Sequence, residues 1–511
     1  MTLTSAFNII NSSFDANAAQ TAAISRNIAN SSTTGYTRKT ANVAASADGG
    51  VEVTSITRAT NAALQEQMLA ANSTSAQQAA VANGLAQLSA TVSDSTSTSA
   101  SSSTTTATGQ SPSAMLANLQ TALQNYQASP SDATVAQSVV TAASQLTSAL
   151  NSATTTVQQV RSQADTAMAQ SVATINSLLG QYQTVDQTIV TGLQTGADVT
   201  DAEDSRDNIL SQLSQQIGIS TVTNPNGSVS IYTDSGVTLF QNTARAVTFT
   251  ATPTLTASAT GNAVTVDGVP ITGPSSPMAI QSGALAGLAT LRDTTAPQYQ
   301  DQLDQIASGL VNAFAETNQA TPGTPNPLPG LFTFSSYSGT MPDNTAPATI
   351  PPGLAGQIEV SASVDPSQGG NANLLRDGDI SGGGANYTYN STGASGYTTR
   401  IQQMITQISA TQSFDPTAGA GSSLSLSAYA NASVGWVQGQ YQQATDQASY
   451  SSTLATTASQ ALQNDTGVNM DDQTSEMLSL ENSYQTSAKL LTTVNNMFSS
   501  LLTAVSAVLP A

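Results

Sequence analysis

Both ends of this chain carry a heptad seam. Near the start, Leu3, Phe7, Ile10, Phe14, Ile24 and Ile28 keep a strict four–three spacing, with Asn17 and Thr21 at the two intermediate positions. Near the end, Met477, Leu480, Tyr484, Leu491, Val494, Phe498, Leu501, Val505 and Val508 keep the same alternation, broken only by Ser487. A 3.5-residue period selects an α-helix with a narrow apolar stripe that has to meet another helix. The first helix is predicted to stop near Asn30, because Ser31 to Thr34 are weak helix formers and Gly35 can turn left-handed. Ordering two such helices costs more backbone entropy than one shared seam returns by burial. The pattern alone fits either an ordinary bundle core or helices whose burial is completed by neighbouring subunits. Placement at both extremes favours the second, since end segments usually fray.

Between the seams the texture is nested. Helical spacing covers 61–88, 115–126, about 132–192 and 201–217, with a Ser/Thr-rich stretch at 91–113 that reads as a loop. Two hairpins are signalled by Asn226–Gly227 and Asp267–Gly268 between alternating runs, and VEVTSITR (51–58) alternates like a strand. Helix is predicted again from Ala284 through Asn318. Residues 320–400 are rich in Pro, Gly, Asn and Thr, with one clear strand at 357–363. The predicted fold class is therefore mainly α with β-rich inserts: terminal coiled-coil helices, an inner helical bundle and a small outer β domain. The predicted segments are a terminal helix and connector (1–60), an inner helical domain (61–220), a hairpin insert (221–275), a helical return (276–320), an outer β-rich domain (321–428), a second return (429–465) and a terminal helix (466–511).

Composition narrows function mainly by exclusion. The chain has 511 residues, no Cys and no His, which removes disulfides, thiolate nucleophiles, serine triads and His-ligated zinc. A net charge of −20 argues against nucleic acid, whose phosphates need clustered Lys and Arg. Only 8% of residues are charged, against about 25% in ordinary domains, so solubility rests on Ser, Thr, Asn and Gln. The opening MTLTSAFNIINSSF lacks a basic n-region, and LLTAVSAVLPA (501–511) is too short to span a bilayer, so export without a cleavable signal and no membrane anchor are expected. No cofactor, metal or catalytic group is predicted. Asp377–Gly378–Asp379 reads as a turn, SGGG (381–384) as a loop, and Trp436 as core. Residues 1–60 carry a net charge of +1 and residues 461–511 a net of −4, which favours one register between the two ends.

Four motifs occur in order. Ala29–Asn30, Thr33 and Gly35–Tyr36 form A-N-x-x-T-x-G-Y, similar to the N-terminal signature of bacterial flagellar rod, hook and hook-associated proteins, and the continuation Tyr36–Thr37–Arg38 resembles the variant of the hook-associated protein 1 family. Asp204, Arg206 and Asp207 lie in EDSRDNILSQLSQ (203–215). Gly283, Gly287, Arg292 and Asp293 lie in SGALAGLATLRD (282–293). Gly467, Val468, Asn469 and Asp471 precede Tyr484, Ala488 and Lys489. Together they resemble the hook-associated protein 1 family over about two-thirds of the chain. Lys39, Asp472 and Leu480–Glu481 depart from its usual residues.

The resemblance implies a structural axial protein, not an enzyme. It further implies extracellular location on the flagellum after type III export, and terminal helices that line the axial tube and fold on assembly. The implied assembly interface comprises the seam residues with Asn30, Gly35, Tyr36 and Arg38. The implied partners are further copies, hook protein, hook-associated protein 3 and an export chaperone binding 470–509. Another axial protein, such as flagellin, hook protein or hook-associated protein 3, is the near alternative, and a Ser/Thr-rich secreted adhesin the distant one. Arg38 and Lys39 are expected to face acidic neighbours, so that reversing both weakens incorporation without moving the monomer's melt.

Overall fold

The computed structural model describes residues 3–97, 106–320 and 327–508. The chain opens with α1 (Leu3–Ala29), the antiparallel hairpin β1 (Lys39–Ala45) and β2 (Val51–Arg58), and α2 (Ala62–Ala90). A short strand pair, β3 (Ser95–Ser97) and β4 (Thr106–Thr108), closes the described part of the Ser/Thr-rich stretch; 98–105 lie outside the described residues. Next come α3 (Pro112–Ala128), α4 (Ala133–Thr195) and α5 (Thr200–Gln216). At 63 residues α4 is about 95 Å long at 1.5 Å per residue. Asp132 caps its start by accepting from the Thr134 and Val135 amides, and left-handed Gly196 ends it.

A four-stranded antiparallel sheet follows in chain order, β5 (Ile219–Thr223), β6 (Val229–Thr233), β7 (Thr238–Gln241) and β8 (Thr243–Ala244). A second sheet joins β9 (Val247–Thr248), β10 (Thr265–Val266) and β11 (Val269–Pro270). Gly227 turns the first hairpin, and Asp267 and Gly268 both take positive φ in the second, as a two-residue loop of this kind requires. Helix α6 (Ala284–Thr290) runs through one π-helical turn (Leu291–Thr295) into α7 (Ala296–Ala313). The single helix expected to Asn318 is thus shorter and interrupted. The wide turn lets Arg292 swing inward rather than lie along the helix face.

Between 327 and 425 the chain forms β12 (Phe332–Phe334) paired with β13 (Ile358–Val360), the single turn α8 (Leu374–Asp377), α9 (Thr399–Ser409), and β14 (Thr411–Ser413) paired with β15 (Ser423–Ser425). Helix α10 (Leu426–Thr466) then runs back along α2, and α11 (Met470–Val508) follows a break at Gly467.

Two apolar cores gather these elements. One joins the end of α2, α3, the first half of α4, α7, the start of α10 and apolar residues from Leu331 to Leu426; Trp436 packs half-buried against it. The segment expected as an outer β domain therefore shares its core with the helices, its short strands supplying Phe332, Phe334, Ile358 and Val360. The second core joins the rest of α4 to α5, α6 and the small sheets. Where the two meet, fully buried Arg292 donates to Asp165, to both oxygens of Asp293 (2.8 and 2.9 Å) and to the Asn262 carbonyl (2.8 Å). Arg161, also buried, donates to the carbonyls of Arg292, Thr256 and Ala259. Breaking such a desolvated pair costs several kcal/mol, so this cluster fixes the angle between the halves.

Candidate assembly interface

Helix α1 ends where its last polar side chains meet three other elements. Asn30 donates to the Arg26 carbonyl (3.0 Å), and left-handed Gly35 presses on α5, where any Cβ would collide with the Asn208 side chain. Buried Asn27 is the hub. Its amide nitrogen donates to the Lys39 carbonyl (2.9 Å) and to Gln473 of α11 (2.7 Å), and its oxygen accepts from the Lys39 amide (2.9 Å) and the Tyr36 hydroxyl (3.1 Å). One residue thus ties α1, β1 and α11 together.

The scarce basic residues of this region are spent on α5 and the turn before it. Arg26 donates to Asp198 (2.9 Å) and Asp201 (2.7 Å). Lys39, only 2% exposed, pairs with Asp201 and stands 3.4 Å from Asp204. Arg58 reaches Glu203 (3.0 Å), Asp204 (3.3 Å) and Asp207 (2.6 Å). Asp204 also accepts from the Thr37 hydroxyl (2.6 Å). Burial lowers the Lys39 pKa, with Asp204 opposing that fall. For Arg58, burial works against the charge, but Asp207, Glu203 and Asp204 outweigh it and raise the pKa. Desolvation opposes ionisation of Asp198, yet its bonds from Thr200 and Arg26 hold its carboxyl below the usual carboxylate value. The expectation that Lys39 faces a neighbouring subunit is corrected here, since Lys39 is enclosed and neutralised within its own chain. Arg38 is half-buried, has no ion pair among the described residues, and uses its amide to donate to the Thr466 carbonyl (2.8 Å).

An open cleft of about 910 Å³ lies beside this cluster, between β2, the start of α2 and the α4–α5 turn. Its two arginines, Arg58 and Arg206, are already engaged, by carboxylates and by the Gly227 carbonyl (3.0 Å) respectively. Among the described residues no cluster of three or more acidic groups is placed to hold a metal, and no helix is long and apolar enough to cross a membrane.

Helix α11 starts on a cap, the Asn469 side chain accepting from the Asp471 amide (3.0 Å). It then runs antiparallel along α1. Contacts along the pair are Asn27–Gln473, Asn17–Ser483 (3.3 Å) and Ser13–Ser487 (3.1 Å), with the Phe14 and Tyr484 rings edge-to-face at 5.1 Å.

The two seams fare differently. On α1, Ile10 and Ile24 are buried, Leu3, Phe14 and Ile28 half-buried, and Phe7 exposed. On α11, Met477, Leu480, Leu491 and Val494 are half-buried, while Tyr484, Phe498, Leu501 and Val505 are exposed. The Val508 side chain and Leu509, the last residue of the expected chaperone segment, lie outside the described residues. Leu478, Leu490, Met497 and Leu502 are also exposed, Leu502 at 62%. Among the described residues of α11 only Gln473 and Ser487 are buried, and both are polar. Of the motif residues, Asn30, Tyr36 and Arg38 are half-buried and Gly35 is exposed at the turn.

Sequence reasoning missed Asn27, Arg58, Asp198, Asp201 and Gln473. Their only sequence signal was a run of acids at 198–207 in a chain otherwise poor in charge.

Residues 102–324 match the family described as the flagellar hook-associated protein FlgK helical domain, and 458–504 match the C-terminal region of flagellar basal body rod FlgEFG proteins. Similar curated relatives are flagellar hook-associated protein 1 of Salmonella typhimurium, 29% identical over 330 residues (58% of this chain, 54% of that protein), and of Escherichia coli, 28% identical over 324 residues (60% and 55%). The chain is thus similar to the hook-associated protein 1 (FlgK) family. It spans about half the length of these curated relatives. A similar solved structure is the flagellar hook junction protein FlgK from Burkholderia pseudomallei, with TM-score 0.41 and 22% identity over 53% of this chain and 47% of that one. The helical-domain match covers α3 to α7, and the rod-type match covers the end of α10, the Gly467 break and most of α11.

Proposed function

We propose that this chain is a structural component of the bacterial flagellar axis, forming the junction between hook and filament and performing no catalysis. The observation that carries the reading is α11, a 39-residue helix with no buried apolar side chain among its described residues. An isolated helix with so much exposed apolar surface gains little from its own chain, and copies packed side by side would cover it. Polymerisation then supplies the burial that completes α11, coupling its ordering to assembly.

The assembly surface comprises the outward seam residues Tyr484, Leu491, Val494, Phe498, Leu501 and Val505, with Leu3, Phe7, Phe14 and Met477 along the helix pair. Ile10, Ile24 and Ile28 support it from within α1, and Asn30, Gly35, Tyr36 and Arg38 hold the turn beneath. Partners are further copies of the chain, hook protein and hook-associated protein 3. Before export the same greasy segment, 470–509, suits an export chaperone in the cytoplasm, and the protein then reaches the flagellum.

Deleting residues 477–511 tests this reading. Cells should build hooks, fail to grow filaments and release flagellin into the medium. Normal filaments on cells carrying the truncated protein would reject it.

A further inference from the structure

Three polar pairs interrupt the interface between α1 and α11, and they share a simple relation. In Ser13–Ser487, Asn17–Ser483 and Asn27–Gln473 the two residue numbers always add up to 500. Asn17, Asn27, Gln473 and Ser487 are all buried, so each needs its partner. We infer that these three layers are a register lock that fixes how far α11 projects beyond α1.

The lock follows from what the heptad-slipped alignments would bury. Sliding α11 by one heptad in one direction sets Asn17 against Leu490, Ser13 against Val494 and Asn27 against Leu480. The opposite slip sets Asn17 against Glu476 and Ser13 against Leu480, and takes Asn27 past the Gly467 break. A four-residue slip one way keeps only Asn17 with Ser487 and places Leu491 and Met477 against Ser13 and Asn27; the other way meets Ser479 and Ser483 but moves Asn27 from Gln473 onto Asn469, whose side chain already caps the helix through the Asp471 amide. The apolar seam alone does not choose, because a heptad repeat matches itself after every seven residues. A buried polar side chain facing an aliphatic one loses its partner and favours the register that restores it.

Continuing the same relation along the pair sets Leu3 level with Met497, so Phe498, Leu501, Leu502 and Val505, all exposed, fall beyond the described start of α1. One heptad of slip would lengthen or shorten that projection by about 10 Å. The register itself stands on contacts within one chain. Its consequence, a fixed length of apolar tip offered to the next subunit, rests on the assembly reading.

The chain has no cysteine, so engineered pairs report register cleanly. Full-length protein carrying Ser13→Cys with Ser487→Cys reads the native register, and Ser13→Cys with Val494→Cys reads the slipped one. Intramolecular disulfide yield is followed under mild oxidation. The native pair should close at least about tenfold more readily, the factor that one orphaned buried polar group of about 1.4 kcal/mol supplies. Adding Asn17→Leu, Ser483→Leu and Gln473→Leu should bring the two yields within about threefold, with helical content by circular dichroism retained.

Equal yields before those changes would overturn the lock. So would a slipped pair that stays open after them while the helices persist. Sedimentation of the same proteins measures self-association separately, so loss of the assembly reading would show there while the disulfide ratio stood.

Discussion

The two terminal helices carry the same heptad pattern, yet the molecule treats them unlike one another. Helix α1 lies against the β1–β2 hairpin, buries Ile10, Ala16, Ala23 and Ile24, and is tied at its end by Asn27 and by the ion pairs of Arg26 to the α4–α5 turn. Helix α11 touches α1 along one side and keeps Leu478, Leu490, Met497, Leu501 and Leu502 in water. A repeating apolar seam therefore states that a helix needs partners without stating whose. For α1 many of those partners are in the same chain, and for α11 few are. The difference separates a fixed foot from a free one.

The sharpest break of this comparison comes at the foot. Arg58 is desolvated among three carboxylates, so Arg58→Ala should lower the stability of the α1–hairpin–α5 region by about 3–5 kcal/mol, measured by denaturant unfolding. A wild-type midpoint in that variant would mean the ion cluster does not hold α1. Lys39→Glu comes next, placing a third carboxylate beside Asp201 and Asp204 in a buried site, and should cost more than about 3 kcal/mol. Arg38→Glu, two atoms of backbone away in the same strand approach but without an ion pair, should shift stability by less than about 0.5 kcal/mol. If the two reversals behave alike, the contrast between buried Lys39 and unpaired Arg38 is wrong.

At the free end the signs reverse. Phe498→Ala with Leu502→Ala should leave the soluble protein's melt within about 0.5 kcal/mol of the parent while reducing incorporation into hook–filament junctions. A large loss of monomer stability would show that α11 is already buried in its own chain. Acid gives the smallest effect. The carboxyl of Asp198 is held below its usual value, so its contribution is present above the unfolded value and lost as pH falls through the folded one. Asp198 is partly exposed, so the loss at the end of α1 should be only about 0.2–1 kcal/mol. Asp198→Asn should flatten that part of the acid titration.

Local chemistry was legible in the sequence. The stop after Ala29 and the turns at Asn226–Gly227 and Asp267–Gly268 each follow from local backbone preference, whereas the break at Gly467, in ordinary extended backbone, was not predicted. The partners of Arg26, Lys39 and Arg58 were not legible, because they lie more than 140 residues away and a charge carries no mark of its mate. The π turn at Leu291–Thr295 was hidden for a similar reason, since Arg292 distorts the helix only once Asp165 and Asp293 surround it. In 327–425 most apolar residues are spaced by turns, apart from the strand at 357–363 and the helical spacing of Ile401, Met404 and Ile408. The spacing of Ile401, Met404 and Ile408 on one face of α9 was a readable signal that was missed, whereas the shared core could not be read from pattern. The asymmetry of the two ends was invisible because equal seams look equal until the hairpin is seen to cover only one of them.

Amide hydrogen exchange on the soluble, unassembled protein tests the central claim most directly. The account predicts strong protection across residues 16–29 of α1 and exchange faster by orders of magnitude across 490–508 of α11, with protection there appearing only on assembly. Equal and strong protection of both segments in the solitary subunit would contradict it.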